Sequence, residues 1–188
     1  MTVPGTVADL LELYERLGDA HYGEDVSQLD HALQTAELAV AAQAEDELVA
    51  AALLHDVGHL IGSPDAVGTL ASGVDDRHEA IGARVLAPIL GASVAGPVAL
   101  HVTAKRWRCA VEPDYAASLS AASTASLRAQ GGPLDASAQR RFASSRSFDA
   151  ALRLRSWDDL AKDPTATPTP LASYEPLLVR LAAAHRVA

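Results

Sequence analysis

Leu53-Leu54-His55-Asp56-Val57-Gly58-His59 lies inside an apolar run and places three polar, metal-competent side chains where a core helix carries only aliphatics. Burying even one neutral polar group without a partner costs about 2–7 kcal/mol. Something must therefore satisfy His55, Asp56 and His59, and the polar residues elsewhere in the chain point to metal. His55 and His59 are four apart and share a helical face.

The surrounding composition favours packed helices. The chain has 188 residues, enough for one domain with a sizeable core. Its hydrophobic fraction of 49% is mainly Ala, Leu and Val, with only 4% aromatic residues. Ala and Leu are strong helix formers, whereas the β-branched and aromatic residues that favour strands are sparse. A formal charge of −9 argues against broad affinity for nucleic acid or anionic membranes. Cys109 is alone, which excludes an internal disulfide and fits a reducing cytoplasm. Met1 to Gly5 carries no basic and apolar leader pattern, and no unbroken apolar segment is long enough to span a bilayer. The expectation is a cytoplasmic domain acting on a small molecule, with no obligate protein partner. Charge is uneven along it: Met1 to Leu60 holds twelve acids and one base, His101 to Arg155 nine bases and four acids. Such a basic second half suits an anionic ligand.

Apolar spacing predicts a helix over Thr6–Leu17, ended by Gly18, and a second capped by Ser27 that runs to about Gln43 and carries His31. The central helix is expected from Asp46 to about Ile61. Residues 62–76 form a loop long enough to act as a lid. Asp75 or Asp76 is expected to cap a helix from His78 through Ile89, and Pro97 to open the next, on which His101 and Lys105 share a face. Further helices are expected over Ala116–Ala129, Ala136–Ser145, Phe148–Lys162 and Tyr174–His185, with breakers at Gln130-Gly131-Gly132-Pro133 and Pro164–Pro170. The expected fold is an all-α, single-domain bundle of roughly seven helices. Its core spans about residues 22–162, and the last helix packs onto it.

His31, His55, Asp56, His78, His101 and Asp158 are the residues to assemble. Imidazoles suit first-row divalent metals and a carboxylate can bridge two of them, with Asp56 the natural bridge; bundle cores build such sites from facing helices. Asp159, beside Asp158, could serve in its place. Taken singly, each has an ordinary structural role available, such as a cap-region His78 or a hydrogen-bonded core His101. The ordered set is far more specific than any member.

That order, His…His-Asp…His…His…Asp, resembles the HD-domain superfamily of metal-dependent phosphohydrolases. Further segments narrow the likeness: Tyr22…Glu24…Gln28-Leu29-Asp30-His31, Leu54-His55-Asp56-Val57-Gly58-His59, Asp76-Arg77-His78-Glu79, His101-Val102-Thr103-Ala104-Lys105-Arg106, Gln130-Gly131-Gly132-Pro133 and Arg155-Ser156-Trp157-Asp158. Together they resemble the HD-domain di-iron oxygenases of organophosphonate catabolism (PhnZ type), distant relatives of the myo-inositol oxygenases. The resemblance implies a mixed-valent Fe(II)/Fe(III) pair with O2 as co-substrate. One iron would be held by His31, His55, Asp56 and Asp158, the other by Asp56, His78 and His101. It implies that Lys105, Ser123 and Arg155 contact a phosphonate, that Ser126 and Gln130 line the same pocket, and that His59 hydrogen-bonds substrate. Tyr22 and Glu24 match a loop that covers the metals until substrate displaces it. The implied reaction is oxygenative cleavage of the C–P bond of a 1-hydroxy-2-aminoethylphosphonate of unspecified N-methylation, giving phosphate and a carboxylic acid. Glu24 or Asp25 would face the amine. A di-metal phosphohydrolase acting on a nucleotide or phosphomonoester would use the same ligands without O2. A metal-stabilised binding domain without turnover is the remaining alternative.

Overall fold

The computed structural model describes residues 3–21, 24–61 and 74–187, and among these every regular element is helical. In chain order they are α1 (Val7–Leu17), α2 (Gln28–Ala41), α3 (Asp46–Leu54), α4 (Val57–Ile61), α5 (His78–Leu90), α6 (Ala92–Val111), α7 (Tyr115–Ser118), α8 (Ala121–Ala129), α9 (Ala136–Ala143) and α10 (Phe148–Leu160). A 3-10 turn (Leu171–Tyr174) then leads into α11 (Glu175–Val187). None of the described helices is long and apolar enough to cross a membrane.

Local chemistry sets the starts. Thr6 and Asp9 form a reciprocal capping box on α1, and the Ser27 hydroxyl accepts the Asp30 N–H at the head of α2. Helix α3 is the buried axis: Leu48 to Leu54 are all inside, and α2, α6, α10 and α11 pack around it. The Tyr14 hydroxyl on α1 donates to the Leu53 carbonyl at 3.0 Å, so a buried phenol is satisfied by the axis itself. One core cluster runs from Val7 to Ala182 through α3, α5 and α6, and a smaller one gathers Phe142, Leu134, Ala104 and Ala151 around Trp107 and Phe148.

The structure corrects the expected count, with eleven α-helices among the described residues in place of roughly seven, and three expected boundaries. The central helix is not continuous: it stops at Leu54 and resumes at Val57, leaving His55 and Asp56 in a turn. The His55 ring Nδ1 donates to the Ala52 carbonyl at 2.9 Å, and the His59 N–H reaches Asp56 O rather than continuing the earlier pattern. Pro97 does not open α6, which starts at Ala92 directly after Gly91, whose φ of 85° reverses the chain there. The expected helix over Ala116–Ala129 divides into α7 and α8 at Leu119-Ser120.

Candidate active site

Five helical segments bring the six singled-out residues to one place. His31 projects from α2, His55 and Asp56 from the α3–α4 turn, His78 from the first position of α5, His101 from the middle of α6 and Asp158 from the end of α10. His55 is 0% exposed and His101 2%. The histidines face in pairs, with Nε2 of His31 and His55 3.2 Å apart and Nε2 of His78 and His101 also 3.2 Å apart. Asp56 lies between the pairs. Its Oδ2 is 3.4 Å from His55 and 3.8 Å from His31, and its Oδ1 is 3.4 Å from both His78 and His101. Asp158 Oδ1 approaches His31 at 3.4 Å and Oδ2 approaches His55 at 3.9 Å. Asp158, not Asp159, is therefore the carboxylate of the cluster.

The outer ring nitrogens decide what the inner ones can be. Nδ1 of His31, His55 and His101 lies 2.8, 2.9 and 2.8 Å from the carbonyls of Ala161, Ala52 and Val98, and Nδ1 of His78 is 2.9 Å from Asp76 Oδ1. A carbonyl or carboxylate there requires Nδ1–H, so a neutral ring presents Nε2 as a lone pair. Burial pushes His55 and His78 down to about 4, which keeps them neutral near pH 7. His31 is lowered by burial, but the Asp158 and Asp56 carboxylates outweigh this and raise it. Facing lone pairs and carboxylate oxygens repel unless a cation lies among them. Two ligand atoms each about 2.1 Å from one ion sit about 3.0–3.4 Å apart, close to the spacing within each pair. The donor set fits two first-row metal ions sharing Asp56.

Around the cluster, His59 Nδ1 lies 2.6 Å from Asp76 Oδ2, and its ring stacks on His78 at 3.9 Å. Asp76 thus ties His59 to His78 and also accepts the His78 N–H at 3.3 Å. The N-cap of α5 is nevertheless Arg77, in the left-handed region at φ 54°, rather than the expected Asp75 or Asp76. Gly58 allows the close approach of α4 to α5, since a Cβ there would stand 2.0 Å from the His78 carbonyl oxygen.

One cavity opens on these residues and is also lined by Glu24, Lys105, Ser123, Ser126, Gln130, Arg155 and Lys162. Lys105 Nζ donates to Ser126 Oγ at 2.7 Å. Burial, reinforced by Arg155, lowers this lysine to about 8. Arg155 is held by Asp158 (2.7 Å), by Asp159 and by the Tyr115 hydroxyl (3.0 Å). Burial would lower it, and the two carboxylates together raise it above its ordinary value. The buried Gln130 Oε1 has no partner among the described residues. Glu24 is in the cavity wall while Asp25 is exposed. Tyr22 and the 62–73 part of the expected lid lie outside the described residues.

Lys162 and Tyr115 belong to this site without a site role read from the sequence, and Asp76, expected only as a helix cap, joins them. Lys162 Nζ reaches Glu24 Oε1 at 2.6 Å and the hydroxyls of Ser120 and Ser123, both at 3.1 Å. Its signal was available, because Lys162 follows Asp158 by four residues just as Lys105 follows His101.

The HD domain family matches residues 29–133. Over 156 residues the chain is 42% identical to a hydroxymethylphosphonate dioxygenase of Gimesia maris, covering 83% of this chain and 78% of that one. Over 174 residues it is 33% identical to a glycine-betaine-forming 1-hydroxy-2-(trimethylamino)ethylphosphonate dioxygenase of Leisingera caerulea, covering 92% and 88%. An uncharacterized protein of Acanthamoeba polyphaga mimivirus is 32% identical over 175 residues, covering 92% and 80%.

Proposed function

This chain belongs to the HD-domain family, among its phosphonate oxygenases, and from that premise we propose that it is an iron- and O2-dependent oxygenase. It cleaves the C–P bond of a 1-hydroxyalkylphosphonate, the class that includes the expected 1-hydroxy-2-aminoethylphosphonates, to inorganic phosphate and a carboxylic acid. Each turnover consumes one O2 and no external reductant, because the substrate supplies all four electrons. The observation that carries this reading is Asp56, whose two oxygens each serve a separate histidine pair beside the buried cation of Lys105.

His31, His55, Asp56 and Asp158 would hold one iron and Asp56, His78 and His101 the other. When bound as an Fe(II)/Fe(III) pair, they supply the redox chemistry by which O2 oxidises C1. The remaining roles belong to the protein. Lys105 pairs with the phosphonate dianion and its hydrogen bond to Ser126 fixes where Nζ stands. The Ser123 hydroxyl on α8 and the Gln130 side-chain Nε2–H2 at its C-cap are the donors that complete the anion's hydrogen bonds. Arg155 adds charge from behind while locking Asp158 in its ligand orientation. His59, oriented by Asp76, stands over the second pair of histidines and hydrogen-bonds substrate from that side. The buried Val26 and Val102 in the wall limit water around the reacting carbon. Glu24 forms part of the cover on the open side.

The test compares aerobic and anaerobic phosphate release by iron-loaded protein from a panel of 1-hydroxyalkylphosphonates and simple phosphate esters. The expected result is phosphate from a hydroxyphosphonate only with O2, matched one to one by O2 consumed. Phosphate from esters without O2 would instead make the chain a di-metal phosphohydrolase.

A further inference from the structure

The wall acid that an ammonium group on the substrate would seek is already taken. Glu24 lies outside the metal-ligand cluster, and its Oε1 carries the Lys162 ammonium at 2.6 Å and the Ser120 hydroxyl at 2.6 Å. Among the described residues the other acids of the wall do not replace it. Asp56 and Asp158 belong to the metal-facing cluster, Asp76 is bonded to His59 and His78, and Asp75 Oδ1 accepts the Arg77 N–H from an exposed position. Lys162 is itself anchored on a second side by Ser123, in the wall shared with Lys105 and Arg155. A substrate carrying a second cation would meet like charge at Lys162. To pair with Glu24 it would have to share that carboxylate with the lysine, beside a cavity wall that already carries the Lys105 and Arg155 cations. A substrate with hydrogen or a small alkyl group at that end has no such charge to place, and Lys162 then adds to the field that holds its phosphonate.

Building on the oxygenase reading above, we propose that Lys162 is a specificity-determining residue: by occupying Glu24 it sets the site for 1-hydroxyalkylphosphonates that carry no ammonium group. Hydroxymethylphosphonate is the smallest of these, and 2-amino and 2-trimethylamino forms are selected against.

The experiment measures kcat/KM for O2-dependent phosphate release from hydroxymethylphosphonate, 1-hydroxyethylphosphonate, 1-hydroxy-2-aminoethylphosphonate and its trimethylated form. Anaerobic calorimetric titration of the same four compounds reports binding without turnover. The wild-type protein is expected to favour the two uncharged-tail substrates at least tenfold, in kcat/KM and in affinity. Lys162→Met and Lys162→Gln are both measured, Gln keeping a hydrogen-bonding group for Glu24 and Ser123 should Met perturb folding. Either is expected to shrink that preference at least tenfold, chiefly by raising kcat/KM for the aminated compounds. A wild-type preference for an aminated substrate overturns the proposal and leaves the oxygenase intact. A preference that persists unchanged in both variants removes Lys162 as its cause and overturns the proposal as well. Absence of O2-dependent phosphate from all four substrates overturns the oxygenase reading itself, and this inference with it.

Discussion

Gly58→Ala isolates the positioning of His78 from its chemistry. A Cβ at residue 58 would stand 2.0 Å from His78 O, 2.7 Å from its carbonyl carbon and 2.8 Å from its Cα, all backbone atoms that no rotamer change relieves. Bringing the nearest contact to even 3.0 Å requires the start of α5 to move about 1 Å away from α4. That displacement is a third of the 3.2 Å separating the Nε2 atoms of His78 and His101, so the pair can no longer share one ion on the same terms. Overpacking of this kind costs about 1–3 kcal/mol. At about 2–4 °C per kcal/mol for a chain of this length, Tm should fall by roughly 2–12 °C. A misplacement of about 1 Å at a catalytic group also lowers turnover by about 10²-fold. Calorimetric unfolding, metal analysis and phosphate-release kinetics read these effects separately. The variant should unfold earlier, lose the metal of the His78–His101 pair first and turn over slowly. A Gly58→Ala protein with wild-type Tm, two metal equivalents and wild-type kcat would refute the reasoning, because α4 and α5 would then not be in the contact described.

Asp56→Asn should lower the content of both metals, since each pair of histidines loses its charged oxygen; two retained equivalents by metal analysis would show that Asp56 is not shared. Lys105 holds its proton below about pH 8, so kcat/KM for a phosphonate should fall about tenfold per pH unit above that value as the cation is lost. Lys105→Arg should move that limb upward beyond the measured range, and an unchanged limb would assign it to another group. The same depressed value makes the charged lysine a cost to the fold. Protons bound by the unfolded chain exceed those on the native one between pH 8 and the ordinary lysine value, so Lys105 makes stability rise with pH there. Arg155→Ala strands the buried Asp158, together with Asp159 and Tyr115, and should destabilise by about 3–5 kcal/mol in urea denaturation. A loss under about 1 kcal/mol would mean that water replaces the guanidinium freely.

The six clustered residues were legible because their chemistry is out of place in an apolar sequence. His55, Asp56 and His101 sit where periodicity calls for aliphatics, and a polar group at such a position must be explained. Element types were legible for the same reason that long amphipathic patterns are. What stayed hidden was local geometry fixed by tertiary contact. Nothing in Leu54-His55-Asp56-Val57 announces a turn; it shows only in the backbone, where the His59 N–H bonds to Asp56 O as the chain re-enters helix at Val57. Pro97 reads as a helix opener, yet α6 already runs from Ala92 after the reversal at Gly91. Asp158 and Asp159 are equivalent in sequence and both bond Arg155; only the other surroundings separate them, with His31 beside one and Tyr115 and Arg108 beside the other. Lys162 reads in sequence as the end of a helix, although its offset from Asp158 repeats that of Lys105 from His101.

The clasp between α2 and the end of α10 also bears on how this protein is made. His31 meets Ala161 across 130 residues, and Gln34 exchanges two hydrogen bonds with Asp163 across 129. A chain emerging from the ribosome can pair α2 with α3 early, and can bring His78 to His101 once α6 is out. It cannot orient His31, present Asp158 or seat Lys162 on Glu24 until the chain has been made as far as residues 158–163. Between those two points the nascent protein holds a half-built cluster of imidazoles and one carboxylate. Closing so long a loop is a late event, because its entropy must be met before these contacts reward it. The site that defines the molecule is complete only once α10 has docked against α2.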